Sequence, residues 1–342
     1  MLTFGSVICT YKRTKILEQC LTFWNQSEYQ PDQFIVVDAT ENAEEYRQSL
    51  IEKFPLLFSK PNSQYIITNQ PGLTHQRNLG LQKTKTDIVC FTDDDTFVSP
   101  DYATKIIEVF QQDKLHVIGG VNGSASGQFD RKSQKYFRLA RNYIRHHFGW
   151  FIQRINIPKD QTQLFKPLPS ELQSLQLIHI DRLWGANMNY RRELLDSSGF
   201  DENFKLYGLF EDVEMSVRLG RTHKLVCRLD ATVVHDDSLG ESTRPNDARY
   251  FLASWLNSAY IIEKLFPCEV SRNSFQRLFQ LTKLISQTVP RKVREKKIKK
   301  LGNEILFRTA QRYITDLRSC QDRVSLQETF VQIQNEIYTL KL

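Results

Sequence analysis

Four short, unbroken apolar runs separated by helix-patterned segments fill the first hundred residues, and this alternation constrains the fold more than any other feature of the chain. The runs are residues 4–9, 34–38, 65–68 and 88–92. Strands buried on both faces are continuously apolar, so the pattern predicts an α/β domain with a mostly parallel sheet flanked by helices. Between the first two runs, Ile16, Leu17, Cys20, Leu21 and Trp24 recur at helical spacing and define one buried face. Residues 43–58 also carry a helical pattern, and a further helix is expected to start after Pro71-Gly72. Residues 117–121 add another strand. A basic helical segment and a Pro-containing loop interrupt the rhythm over 128–180, and it resumes from Ile178 to His235. Beyond about residue 247 the chain is helix-patterned throughout.

In sheets of this kind ligands bind beyond the carboxyl ends of the strands. Thr10-Tyr11, Asp38 and Asp93-Asp94-Asp95 all fall at that edge. No Gly-x-Gly-x-x-Gly follows the first strand, which disfavours dinucleotide binding. Three adjacent carboxylates repel one another and need compensation from a cation or from solvent. Carboxylate oxygens combined with substrate phosphates are the usual setting for Mg²⁺ or Mn²⁺. A solvated acidic turn or a helix N-cap is the competing reading. The position of the triplet directly after an apolar strand favours the metal.

Charge is unevenly divided. Residues 268–342 hold 15 Lys and Arg against 7 Asp and Glu, while residues 1–267 hold 31 against 32. The basic character therefore belongs to the tail, and no nucleic-acid partner is expected for the main domain. The expected division is a domain of residues 1–245, with 128–180 inserted in it, and a basic helical region of residues 246–342. The six cysteines lack close pairs, which points to reduced thiols rather than a zinc site or a disulfide scaffold. Without an apolar stretch of about 18 residues or a signal-peptide pattern, a cytoplasmic location is expected.

Thr10-Tyr11, Asp38, Arg77-Asn78-Leu79-Gly80, Asp93-Asp94-Asp95, Trp184-Gly185-Ala186-Asn187, Glu211-Asp212 and His235, found over roughly residues 3–240, together resemble the family 2 glycosyltransferases with the GT-A fold. Ser6-Val7-Ile8-Cys9-Thr10-Tyr11-Lys12-Arg13 resembles the opening strand and nucleotide-binding loop, and Val36-Val37-Asp38 the strand whose aspartate faces the donor base. Arg77-Asn78-Leu79-Gly80 is similar to an Arg-Asn-x-Gly helix start, and Asp93-Asp94-Asp95 to an Asp-x-Asp metal motif. Trp184-Gly185-Ala186-Asn187-Met188 with Arg191-Arg192 resembles the acceptor-side loop. Glu211-Asp212 resembles a Glu-Asp motif, and His235 the position of a third metal contact.

The resemblance implies metal-dependent, inverting transfer of a sugar, of the hexosyl type, from a UDP- or GDP-sugar to a hydroxyl of a glycan, lipid-linked or protein acceptor. On that basis Asp95, Asp93 and His235 are the expected Mn²⁺ or Mg²⁺ ligands. Thr10, Tyr11, Arg13, Asp38, Arg77, Asp93 and Asp94 are expected on the donor side. Trp184, Gly185, Ala186 and Asn187 are expected on the acceptor side. Asp212 is the expected base, with Glu211 supporting it or contacting the acceptor. Helix-capping remains open for Asp38, and first-turn dipole stabilisation for Glu211 and Asp212.

Other readings are a nucleotidyl or phosphoryl transferase, a non-catalytic nucleotide-sugar-binding protein and a membrane-surface scaffold. Phosphoryl transfer would call for a glycine-rich loop, and residues 10–15 contain no glycine. Arg131, Lys135, Arg138, Arg141 and Arg145 lie near one helical face, and residues 291–300 carry seven cations. Each is either a solvated basic face or a contact for an anionic membrane, which would make the protein peripheral at the inner membrane face.

Overall fold

The computed structural model describes residues 2–125, 167–180, 182–195, 199–205, 207–236, 248–265 and 303–339. The expected basic helix around 131–151 and the basic run 291–300 lie outside the described residues. The described chain divides into two compact units, one drawn from residues 2–125, 167–202 and 211–236, the other from 203–210, 248–265 and 303–339.

The first unit begins β1 (Phe4–Thr10), α1 (Thr14–Asn25), β2 (Gln33–Asp38), α2 (Glu44–Lys53), α3 (Pro55–Phe58) and β3 (Gln64–Ile67). It continues through α4 (Leu73–Lys83), β4 (Ile88–Asp93), β5 (Thr96–Val98), α5 (Tyr102–Gln112) and β6 (Ile118–Ala125). It ends with β7 (Leu177–His179), β8 (Asn187–Arg191), α6 (Glu211–Gly220) and β9 (Lys224–His235). The helical pattern over 43–58 resolves into two helices because Pro55 offers no N–H to continue the first, and Phe54 before it leaves the helical region at φ −121°, ψ 58°.

The sheet runs β3-β2-β1-β4-β8-β6-β9-β5, with β7 paired to β9. β1 to β4 are mutually parallel, as their unbroken apolar runs require. The other half is mixed: β6 and β9 are parallel, while β8 is antiparallel to both β4 and β6, and β5 and β7 are antiparallel to β9. The sheet is therefore less parallel than the apolar runs alone suggest. The strand that reverses direction is Asn187-Met188-Asn189-Tyr190-Arg191, which has no apolar run to announce it.

Each face of the sheet carries a core. Phe4, Ile8, Phe34 and Val36 pack with Leu17, Leu21 and Trp24 of α1 and with Ile106 and Phe110 of α5. Val7, Ile35, Val37, Val89 and Phe91 point the other way and pack with Met188, Tyr190, Phe200 and Met215. Alternation along β8 sends Met188 and Tyr190 into this second core, leaving Asn187 and Asn189 facing Tyr102 on the first side. Asp113 and Arg191 form a buried ion pair at 2.9 Å that ties α5 to the end of β8. Because Arg191 pairs with Ile88 at the start of β4, it lies at the opposite end of that strand from Asp93.

The second unit contains α7 (Ala248–Leu265), α8 (Asn303–Ser319) and α9 (Arg323–Thr339). Tyr260 of α7 stacks on Phe330 of α9 with centroids 3.8 Å apart, and Phe204 meets both rings edge-on. Asn257 donates to the Leu209 carbonyl at 2.6 Å, holding the segment before Phe210 against α7. Among the described residues no helix is long and apolar enough to cross a membrane.

Candidate active site

β1, β2 and β4 end together: Thr10 is in register with Asp38, and Cys9 with Asp93. The turn after β1 passes through Lys12, whose φ of 59° is unusual for a side chain other than glycine. This turn aims Thr10 and Arg13 at the triplet. Thr10 donates its hydroxyl to Asp94 Oδ2 at 2.6 Å. Arg13 reaches Asp94 Oδ1 at 2.8 Å and Asp95 Oδ2 at 2.6 Å. Pairing of β5 with β9 sets Thr96 beside His235, and His235 Nε2 then lies 3.1 Å from Asp95 Oδ1. Asp93, Asp95 and His235 each bring a ligand atom within 4.8 Å of the other two, so the three could hold one metal ion. Two carboxylates and an imidazole suit a first-row divalent cation such as Mn²⁺.

Arg77 lies inside α4, which begins at Leu73, rather than opening a helix. Its side chain is 2% exposed. It donates to Asp93 Oδ1 at 3.0 Å, to the Gly185 carbonyl at 3.0 Å and to Glu211, and its guanidinium lies 5.3 Å from the Phe200 ring centroid. Arg77 thus straps the end of β4 to the first residue of α6. This requires α4 to lie close on β1, and Gly80 permits it, because a Cβ there would run into Val7 Cγ1. Asn78, the next residue, grips the Phe200 backbone with its carbonyl and amide at 2.8 and 2.9 Å.

Asp212 Oδ2 accepts the Gly185 N–H at 3.0 Å and its Oδ1 accepts the Val213 N–H at 2.8 Å. Residues 184–187 are braced from below by Asn122, which accepts the Trp184 N–H at 2.6 Å and donates to the Asn187 carbonyl. The Ala186 carbonyl accepts the Asp93 N–H at 3.2 Å. Asn187 is fully buried, and its Oδ1 accepts the Gly123 N–H at 2.6 Å. Trp184 is 38% exposed, and its ring meets His235 edge-on with centroids 5.0 Å apart.

Five carboxylates (Asp93, Asp94, Asp95, Glu211, Asp212) are gathered around two guanidinium groups, and the electrostatics register the imbalance. Burial pushes Asp94 up to about 7, against the pull of Arg13 and Thr10. Burial likewise raises Asp93 against Arg77. Burial, reinforced by Asp212, raises Glu211 to about 8 in spite of Arg77. At Asp95 burial also works upward but is outweighed by His235 and Arg13, which hold it below the ordinary carboxylate value. A cluster short of positive charge, with an imidazole among its carboxylates, fits a divalent cation.

Asp38 sits at the predicted edge yet has no exposed surface. Its Oδ2 accepts the hydroxyls of Tyr46 and Tyr65 at 2.7 and 2.6 Å, and its Oδ1 accepts the Thr40 N–H at 2.8 Å. Tyr11 is half-buried beside Lys12 and Glu41 at the rim. Sequence reasoning missed Gln76 and Asn122. Gln76 donates to the carbonyls of Thr10 and Val37, each at 2.9 Å, tying the ends of β1 and β2 together. Gln76 directly precedes the Arg77-Asn78-Leu79-Gly80 motif and Asn122 follows the 117–121 strand, but nothing in the sequence assigned either a role.

The family described as Glycosyl transferase family 2 matches residues 6–197, more than half of the chain. The chain belongs to that family, and it is a transferase of the GT-A fold. An uncharacterized glycosyltransferase, YfnE of Bacillus subtilis (strain 168), is 23% identical over 288 residues, covering 75% of this chain and 69% of YfnE. The structure of S. aureus TarS 1-349 in complex with UDP-GlcNAc superposes with a TM-score of 0.52 at 15% identity, over 98% of this chain and 92% of that one. The structure of GalNAc-T7 with UDP, GalNAc and Mn²⁺ gives 0.53 at 14% identity, over 91% and 58%.

Proposed function

We propose that this enzyme transfers a sugar from a UDP- or GDP-sugar to a hydroxyl of a glycan, lipid-linked or protein acceptor, with Mn²⁺ or Mg²⁺ bound and with inversion at the anomeric carbon. The observation that carries this reading is the convergence of Asp93, Asp95 and His235 within 4.8 Å, next to a helix start that presents Asp212. Family membership supports it, as do the UDP-GlcNAc in the TarS structure and the UDP and Mn²⁺ in that of GalNAc-T7.

Asp93, Asp95 and His235 would hold the cation, which when bound supplies positive charge to a leaving diphosphate. Thr10 and Arg13 fix the neighbouring carboxylates and add a guanidinium at the same edge. Asp212 accepts the proton of the attacking hydroxyl. Each of its oxygens is fixed by one backbone N–H and keeps a lone pair for that proton. The acceptor oxygen bonds to the anomeric carbon as the bond from that carbon to the phosphate oxygen breaks, and a single displacement of this kind inverts the configuration. Glu211, buried against Arg77, holds the helix start that presents the base. Residues 184–187 line the acceptor side.

A thermal-shift screen of nucleotide sugars with and without Mn²⁺ tests the reading. Stabilisation by UDP- or GDP-sugars that requires the metal is expected; indifference to every nucleotide would refute it. Replacing the base in Asp212→Asn is expected to lower transfer by roughly 10²- to 10⁴-fold with the fold intact.

A further inference from the structure

A carboxylate that reads a nucleobase must offer the ligand both a free lone pair and some surface. Asp38 offers no surface. Its Oδ2 is filled by two phenol hydroxyls at 2.6 and 2.7 Å, from Tyr65 on β3 and Tyr46 on α2, and its Oδ1 takes the Thr40 N–H at 2.8 Å. An oxygen with two lone-pair sites that already accepts two O–H donors has none left. Three short hydrogen bonds also explain how a buried carboxylate is tolerated here.

The bonds continue outward from Asp38. Thr40, held by its own N–H, turns its Oγ1 to the Lys12 N–H at 2.7 Å. Lys12 is the left-handed residue of the turn after β1, and its neighbour Arg13 carries the contacts to Asp94 and Asp95. On the other side of Asp38, the Ala39 N–H donates to the Thr10 carbonyl at 3.1 Å and the Thr68 N–H to the Asp38 carbonyl at 2.9 Å. One buried carboxylate therefore gathers β3, α2 and the loop after β2, and through Thr40 it sets the backbone of the turn that aims Thr10 and Arg13. An amide could not replace it unchanged, since its NH₂ would face either the Thr40 N–H or both phenols.

We propose that Asp38 is a positioning residue: it fixes the turn of residues 10–13 through Thr40 and does not read the donor's base. This rests on the reading that the cleft binds a nucleoside diphosphate, and the test separates the two. Amide hydrogen exchange over residues 10–13 is followed in the ligand-free wild type, Asp38→Asn and Thr40→Val. The same three proteins are titrated with UDP, CDP, GDP and ADP in the presence of Mn²⁺.

Faster exchange at Lys12 is expected in both variants. Each nucleotide that the wild type binds should weaken by a common factor, about tenfold for a lost hydrogen bond to a charged group, leaving the order of preference unchanged. Unaltered exchange at Lys12 overturns the proposal, and so does a loss confined to the wild type's preferred base. A wild type that binds none of the four refutes the nucleotide-sugar reading instead, while the exchange result still decides the role of Asp38. If Asp38→Asn fails to fold, Thr40→Val carries both measurements, because it deletes the acceptor of the Lys12 N–H and leaves the Asp38 carboxylate in place.

Discussion

Arg13 and Arg77 each hold two carboxylates of the same cluster, yet they do opposite things. Arg13 reaches in from a turn, is 20% exposed, and pairs with Asp94 and Asp95 at the cleft. Arg77 rises from the interior of α4, is 2% exposed, and joins Asp93 to Glu211 and to the Gly185 carbonyl. The same guanidinium serves once as charge compensation at an open edge and once as a strut between the strand that would bind the metal and the helix that presents Asp212. Exposure decides which. Arg77 and Glu211 are buried together, so losing one leaves an uncompensated charge, whereas solvent reaches the Arg13 guanidinium and screens its pairs in part.

That contrast is most easily broken at Arg77. Arg77→Met should cost about 3–5 kcal/mol in urea unfolding, because buried Glu211 loses its cationic partner. Lys at the same position should rescue little, since an ammonium cannot span three acceptors as the guanidinium fork does. A stability loss below about 1 kcal/mol would remove Arg77 from the interior of the account.

Gly80→Ala tests the close approach that Arg77 needs. The added Cβ meets Val7 Cγ1, and overpacking should cost about 1–3 kcal/mol, read as a lower melting temperature together with reduced activity. Asn122→Ala should cost a similar or smaller amount, about 1–3 kcal/mol, from leaving the Trp184 N–H without its acceptor. Because the damage falls on residues 184–187, KM for the acceptor should rise more than KM for the donor. Equal changes in both would place that turn elsewhere in the reaction. Arg13→Gln is the smallest expected change in stability, because the Arg13 guanidinium is partly solvated and a glutamine amide can still donate to the carboxylates it leaves. It should nonetheless lower Mn²⁺-dependent nucleotide affinity, and a destabilisation matching that of Arg77→Met would erase the distinction between the two arginines.

Much of this arrangement was legible before any coordinates, for reasons that differ by element. β1 to β4 are unbroken apolar runs because they are covered on both faces, so the strands and the edge where they end could be read directly, though not their order in the sheet. The triplet stood out because carboxylates are rarely placed together after such a run. β8 was illegible as a strand: its two asparagines bond to Tyr102, Gly123 and the Val121 carbonyl, none of them near in sequence. The antiparallel half of the sheet was hidden with it. Arg77 looked like a residue free to reach a phosphate, because sequence says nothing of burial at a helix start. Asp38 was placed at the right edge, but its two tyrosine partners come from α2 and β3.

The central claim is that Asp93, Asp95 and His235 form one divalent-cation site serving a nucleoside diphosphate. Titration of Mn²⁺ by electron paramagnetic resonance, in the presence of UDP or GDP, tests it most directly. One tight site per chain is predicted for the wild type, lost in Asp95→Asn and weakened at least tenfold in His235→Ala. Undiminished Mn²⁺ binding in Asp95→Asn, with the fold intact, would contradict the account.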